Sequence, residues 1–238
     1  MKHIYITFLT VLALSFYSTE ASAQFIVAQD TVRGSVDFCP RLGDLNNSIT
    51  VPNDSVFYMF PADAATEPWR YVDYYLPSRS TKSGYIGDRK LMRIDDYDII
   101  EVERLSSHGT ISFKNDDVRV NIAVSPVTTK DTAIKKNARG EYIVNDKPAK
   151  GVARGQSPQL KYQSISVTIK GHNIVFPKGV YEHLLDPEID NMIVYYNADK
   201  SIVYISANNG GTAAYYNALW AVSPRGVANV YIFDPAEK

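Results

Sequence analysis

Residues 213–222, "AAYYNALWAV", constrain the fold of this chain more than any other segment. Successive side chains of a strand point to opposite faces, so these residues divide into two alternating sets. Both sets are largely apolar and strand-like segments flank them, so we predict a central strand that is covered on both faces. A helix beginning at Thr212, with Tyr216 against Trp220, is the less favoured alternative. The preceding residues 208–211, "NNGG", predict a tight glycine turn rather than a phosphate loop, because no Lys-Ser/Thr follows.

Most of the chain has the pattern of short strands separated by Gly- and Pro-containing turns, since Tyr, Val and Ile are abundant. Strands are predicted near residues 32–38, 55–60, 69–76, 83–87, 97–104, 110–114, 117–124, 141–144, 162–170, 173–176, 192–197, 201–206, 213–222 and 227–233. One segment favours a helix: over residues 178–186, between Pro177 and Pro187, apolar residues recur at i, i+4 spacing. The expected fold class is therefore mainly β, with one short helix.

The first 23 residues have the pattern of a secretory signal peptide. A short polar start precedes a mostly apolar run over residues 4–16, and Ala21-Ser22-Ala23 supplies the small residues that signal peptidase requires. The run is shorter than the roughly 20 residues of a membrane-spanning helix, and no later segment is long and apolar enough to span. We therefore expect cleavage after Ala23, and a periplasmic or secreted protein. Gln24, in place of a cysteine, argues against a lipid-anchored start.

The charged residues limit the class of partner. Lys and Arg number 25, Asp and Glu number 26, and the formal net charge is −1, which gives no electrostatic reason to expect nucleic acid or an anionic membrane surface. Residues 128–163 differ from the rest in being polar and basic, and we expect a solvated hairpin with long loops there. Cys39 is the only cysteine, so an internal disulfide is excluded and the core must hold the fold together.

Alternation also divides residues 69–76, "WRYVDYYL", into two sets. One set contains Val72 and Leu76 and is predicted to face the core; Arg70 and Tyr74 belong to it. The other set is predicted to face outward, and it holds three aromatic residues and one carboxylate: Trp69, Tyr71, Asp73 and Tyr75.

This arrangement resembles the bacterial SH3-like (SH3b) domain, in which a tryptophan precedes an alternating strand, a polar hairpin, a Gly-aromatic-aliphatic triplet and a turn ending in Leu. The matching residues are Trp69, Val72, Tyr74, Gly84-Tyr85-Ile86 and Leu91, with Pro40 upstream. The resemblance covers about residues 30–103, and residues 46–68 are longer than the family's usual second strand and loop. It implies an SH3b-like small barrel over residues 24–104, which an antiparallel β-rich domain with the short helix follows over residues 105–238.

The resemblance also implies an aromatic groove that binds cell-wall peptides or protein segments. Its candidate ligand-binding residues are Trp69, Tyr71, Tyr75 and Tyr85. Such side chains supply a large, rigid contact area with a polar tip. The alternative is that these aromatics only close the ends of a small barrel.

The sequence supports catalytic and metal-binding residues less well than it supports the aromatic groove. Cys39 could act as a nucleophile with His108, His172 or His183 as base, but it precedes Pro40 and does not open a helix, so a small buried hydrophobe explains it better. A second group lies in "EHLLDPEID", where His183 and Asp186 would share a helix face near Glu182, Glu188 and Asp190. No second ligand cluster accompanies it, and a solvated surface is the simpler interpretation. We expect no catalytic residue, no metal and no cofactor.

The sequence thus predicts a non-catalytic protein that recognises a cell-envelope component, such as a peptidoglycan peptide, or a protein partner. One alternative is a periplasmic inhibitor or immunity protein that neutralises a secreted toxic enzyme, with residues 128–163 or the Gly210-Gly211 turn as its plug. A further alternative is a cell-wall hydrolase that uses Cys39 or the region of His183.

Overall fold

A computed structural model describes residues 24–76, 80–106, 108–211 and 213–235. The predicted signal peptide, residues 1–23, lies outside this range. The described part is mainly β, as the sequence predicts, and its helical segments are 3-10 turns of three residues each. No helix within it is both long enough and apolar enough to cross a membrane.

The strands, in chain order, are β1 (Gln24–Ala28), β2 (Ser35–Phe38), β3 (Ile49–Pro52), β4 (Val56–Met59), β5 (Trp69–Tyr75), β6 (Thr81–Gly87), β7 (Leu91–Arg93), β8 (Asp98–Ile100), β9 (Val102–Ser106), β10 (Thr110–Lys114), β11 (Val118–Pro126), β12 (Ile134–Lys136), β13 (Tyr142–Val144), β14 (Lys147–Pro148), β15 (Leu160–Ile169), β16 (His172–Val175), β17 (Ile193–Asn197), β18 (Ile202–Asn209), β19 (Tyr216–Ser223) and β20 (Gly226–Phe233). They form three five-stranded antiparallel sheets: the N-terminal sheet (β6-β5-β4-β1-β7), the central sheet (β20-β19-β18-β17-β8) and the outer sheet (β16-β15-β11-β10-β9). The hairpin β2-β3 and the small sheet β12-β13-β14 complete the fold.

The hairpin β2-β3 packs on the inner face of the N-terminal sheet and encloses a small core. Cys39, directly after β2, exchanges two backbone hydrogen bonds of 2.8 Å with Tyr85 of β6. Gly84 permits this close approach, because a Cβ atom there would lie 2.6 Å from the carbonyl oxygen of Cys39 and 2.5 Å from Cζ of Phe38. The enclosed core consists of apolar side chains: Ile26, Ala28, Val36, Phe38, Val51, Phe57, Met59, Val72, Tyr74 and Ile86.

The central sheet is the middle of three layers. On one face Trp220 and its neighbours pack against the outer sheet in the largest core of the molecule. On the other face Tyr204, Leu219 and Phe233 pack against Phe25 and Tyr58 of the N-terminal sheet. The prediction that residues 213–222 form a central strand with two covered faces is therefore confirmed for β19. Of the turn predicted over residues 208–211, the glycine part is confirmed, since Gly210 has φ +84° and a Cβ atom there would lie 2.1 Å from the carbonyl oxygen of Ala214. Asn208 and Asn209 belong to β18 instead.

The helix predicted over residues 178–186 is wrong. Only a 3-10 turn, Lys178–Val180, forms there. Beyond it, the amides of Glu182 and Leu184 still donate within the segment. The Leu185 amide donates to the carbonyl oxygen of Lys150, and the Asp186 amide donates to that of Leu160, so the helical pattern does not continue. The apolar residues of this segment are buried although no helix forms, as Leu184 and Leu185 are.

The polar segment 128–163 is more ordered than a solvated hairpin with long loops, because it contains the small sheet of three strands.

The two predicted domains are joined through a shared sheet. β8, within the predicted first domain, pairs with β17 of the central sheet.

Asp30 ties the end of β1 to two other segments. Its buried carboxylate accepts hydrogen bonds from the amides of Val32 and Arg33 and lies 2.6 Å from Nζ of Lys90. The Lys90 contact, with the two amides, lowers the pKa of Asp30 to about 2. A carboxyl group whose pKa is lower in the folded state stabilises the protein above its unfolded pKa of about 4, and that contribution is lost as the pH falls through 2.

Replacing Asp30 by asparagine is therefore expected to lower the free energy of unfolding at pH 7 and to lower it much less near pH 2. Urea denaturation of both proteins at pH 7, 4 and 2.5 measures the difference, with the exposed Asp199→Asn as a control. A difference that does not change with pH would contradict the assigned role of the carboxylate.

Candidate functional site

A cleft of about 380 Å³ opens where β5 begins and beside the loop that precedes it. Residues of β5, β6 and this loop line it: Phe60, Pro61, Ala62, Asp63, Thr66, Trp69, Arg70, Tyr71 and Tyr85. Three of the four aromatic residues predicted from the sequence thus lie around one cavity. We call it the aromatic cleft.

The aromatic residues of the cleft are positioned by the pairing of β5 with β6. Tyr71 stands directly opposite Tyr85 in the antiparallel register, and their ring centroids are 5.2 Å apart. The ring of Phe60 lies 5.3 Å from that of Tyr71 on its other side. Tyr71 keeps 40% of its surface exposed, whereas Trp69 and Tyr85 are half-buried. The cleft therefore presents rigid aromatic surface to solvent.

Tyr75, the fourth predicted residue, does not line the cleft. It is half-buried at the other end of β5, where its hydroxyl donates a hydrogen bond of 3.1 Å to the carbonyl oxygen of Ile232. Its ring packs against Tyr231, and burial raises the pKa of its hydroxyl well above the usual range. Asp73, predicted to face outward, is also buried and accepts a hydrogen bond from Ser83. β20 of the central sheet covers this end of the outward face.

A continuous series of rings connects the cleft to the contact between the layers. Phe60 packs on Tyr58 at 5.6 Å, and Tyr58 stacks on Phe233 with centroids 3.7 Å apart and planes 7° from parallel. Phe233 ends β20, so the central sheet supports the rear of the aromatic cleft. The cleft walls are consequently held by the packing of two layers.

Arg70 provides the positive charge of the cleft. Its Nε donates to Asp88 at 2.6 Å, while its Nη1 is buried and has no hydrogen-bond acceptor among the described residues. Such unsatisfied donors are rare in native proteins and are a recognised feature of functional sites. Asp63 supplies a carboxylate at the rim, and one of its oxygens accepts from the amide of Ala65.

Sequence reasoning did not identify Phe60 or Arg70 as cleft residues. Alternation placed Arg70 with the core-facing set of β5, and it does lie opposite the buried Ile86. A charged side chain within an otherwise apolar core-facing set was the signal that could have identified it. Phe60 ends the strand predicted near residues 55–60, whose two faces were not assigned, and it lies just beyond β4.

The catalytic and metal-binding alternatives gain no support from their surroundings. Cys39 is fully buried and burial raises the pKa of its thiol, so the reactive thiolate is disfavoured. His108 and His172 are exposed residues at the outer sheet, a different layer from the Cys39 hairpin. In "EHLLDPEID", the carboxylate of Asp186 accepts hydrogen bonds from two backbone amides, and that of Glu188 accepts one from the amide of Gly211. Within the described ranges, no three His, Cys, Asp or Glu residues are grouped to hold a metal ion.

No protein-family model matches this chain, and neither does any curated protein or solved structure. The functional interpretation therefore rests on the geometry of the aromatic cleft and on the chemistry of the residues that line it.

Proposed function

We propose that this protein is a secreted or periplasmic, non-catalytic binding protein that holds a cell-envelope peptide, such as a peptidoglycan stem peptide, in the aromatic cleft. The observation that carries the proposal is the convergence of Trp69, Tyr71 and Tyr85 on one solvent-open cavity beside Arg70. The SH3b-like character of the N-terminal half, proposed from its sequence, agrees with this assignment.

The chemistry of the cleft suits a short peptide. Tyrosine and tryptophan rings contribute contact area at a low cost in conformational entropy and dominate binding energies at many interfaces. The guanidinium group of Arg70 can attract a carbonyl or carboxylate oxygen of the ligand, and Asp63 can attract an amino group. A stem peptide carries amide carbonyls, carboxylates and an amino group within a few residues, so one short ligand offers a partner to both Arg70 and Asp63.

Co-sedimentation with purified peptidoglycan sacculi tests the proposal. Trp69→Ala is expected to weaken binding by about 30-fold, since truncation of an interface hot spot costs about 2 kcal/mol or more. Tyr71→Ala is expected to weaken it by about tenfold. Circular dichroism of each variant verifies that the fold is retained.

Tyr215→Ala is the matched control, because Tyr215 is a tyrosine with a similar exposed fraction, 37% against 40% for Tyr71, outside the cleft. It should sediment with sacculi as the wild type does. Equal retention of the wild type and of Trp69→Ala would remove the cleft as the binding site.

A further inference from the structure

A second cleft lies on the small sheet and does not involve the aromatic cleft. It has a volume of about 700 Å³ and runs between the β12–β13 hairpin and the loop that follows β14. The hairpin contributes Arg139 and Tyr142, the loop contributes Val152 and Arg154, and Asp234 lies at one side. We call it the basic cleft.

The segment that builds this cleft is strongly basic in a chain that is otherwise acidic. Residues 128–163 contain eight Lys and Arg side chains and three Asp and Glu side chains, a net charge of +5. The whole chain has a net charge of −1, so the rest of the molecule is negative and the positive charge is concentrated on this one region. Concentrated charge of one sign attracts ligands of the opposite sign.

Four of the eight cationic groups of the segment contact other groups of the protein. Lys161 pairs with Asp131, Lys150 pairs with Asp234 at 2.8 Å, and Lys147 donates to the carbonyl oxygen of Gly179. Lys136 lies over the ring of Tyr142. Of the residues in these contacts, Lys150, Asp234 and Tyr142 line the basic cleft.

The two guanidinium groups of the cleft differ from those lysines. Arg139 and Arg154 are exposed, one on each wall, and neither forms an ion pair with a carboxylate anywhere in the described part of the chain. A guanidinium group offers a planar set of donors that matches a carboxylate in a bidentate geometry. Two such groups facing one cavity form a receptor for a ligand that carries more than one carboxylate.

We propose that the basic cleft binds an acidic segment of a protein partner. Apolar side chains that line the same cleft, among them Ile143 and Val152, provide contacts for the side chains that separate the carboxylates of a peptide. Glu141 also lines the cleft, and its carboxylate repels a phosphate polymer, in which every unit is negative, more than it repels a peptide of mixed composition. The cleft volume lies within the range of pockets that enclose a ligand. This proposal does not rest on the function assigned to the aromatic cleft.

Selection from a random twelve-residue peptide display library on the immobilised wild-type protein tests the proposal. The enriched peptides are expected to be rich in Asp and Glu, and fluorescence anisotropy should show that R139E/R154E binds the best of them at least tenfold more weakly. The control variant R41E/R225E makes the same change in net charge at two exposed arginines outside the cleft and should bind like the wild type. Thermal unfolding of both variants verifies the fold.

Four results would overturn the proposal. The enriched peptides could lack acidic residues, or R139E/R154E could bind them as tightly as the wild type. Equal weakening in both double variants would show attraction by net charge without a site. Inorganic polyphosphate that binds the wild type when no peptide is enriched would assign the cleft to a polyanion instead.

Discussion

Replacing Trp220 by alanine is expected to lower the free energy of unfolding by about 3–5 kcal/mol, the usual cost of removing a buried large aromatic side chain. Trp220 is 0% exposed at the centre of β19. Its indole ring meets the ring of Tyr162 edge-on at 5.8 Å, and its Nε1 donates a hydrogen bond of 3.0 Å to the carbonyl oxygen of Val180. The substitution leaves a cavity between the central and outer sheets and an unpaired carbonyl group.

Equilibrium denaturation in urea measures this loss through the transition midpoint. Trp69→Ala is the matched control, because Trp69 is half-buried at the start of β5 and its replacement should cost much less. A Trp220→Ala protein within 1 kcal/mol of the wild type would contradict the assigned core between these sheets.

Replacing Tyr58 by alanine is expected to lower the free energy of unfolding by about 3–4 kcal/mol. Tyr58 is the centre of the contact between the N-terminal and central sheets. It stacks on Phe233 at 3.7 Å and meets the ring of Phe25 edge-on at 5.1 Å. Its removal therefore deletes contacts on both sides of the layer boundary, and urea denaturation measures the cost.

A double-mutant cycle shows whether that cost arises from the contact between layers. Tyr58→Ala and Phe233→Ala should be coupled by about 0.5–1.5 kcal/mol, the range for a stacked aromatic pair. Tyr58→Ala and Phe113→Ala should be additive within about 0.5 kcal/mol, because Phe113 belongs to the separate core of the outer sheet. Additivity in the first cycle would contradict the stacking that joins the two layers.

A strand in which burial follows a period of two can be predicted from the sequence. The predicted strand over residues 110–114 coincides with β10, whose Ile111 and Phe113 are buried and alternate with more exposed residues. β1 was not predicted, although it lies between β4 and β7 in the N-terminal sheet, because it directly follows the predicted signal peptide. Its burial also depends on contacts with both layers, which a local pattern does not reveal.

The wrong helix has a similar cause. An i, i+4 spacing of apolar residues indicates a helix only where the backbone can bond to itself. Over residues 178–186 the bonds from Leu185 and Asp186 to Lys150 and Leu160 replace those of a helix. These partners lie about 30 residues away in the sequence, so tertiary pairing decided the structure.

The aromatic cleft could be predicted in part. Alternation placed Trp69 and Tyr71 on the outward face of β5, and the two line the cleft with Tyr85. Tyr75 follows the same alternation, yet β20 covers it through residues 157 positions later in the chain. The outward face of a strand stays exposed only where the next layer does not pack on it. The sequence of the strand alone does not show where that layer packs.

The most direct test of the central claim uses the two tryptophans of the chain as reporters. One lines the aromatic cleft and the other is buried in the core, so protein labelled with 5-fluorotryptophan should give two ¹⁹F resonances, which Trp69→Phe assigns. On titration with soluble muropeptides, we expect the Trp69 resonance to shift and saturate while the Trp220 resonance stays in place. A Trp69 resonance that does not move at millimolar muropeptide would contradict the claim that this cleft binds cell-wall peptides.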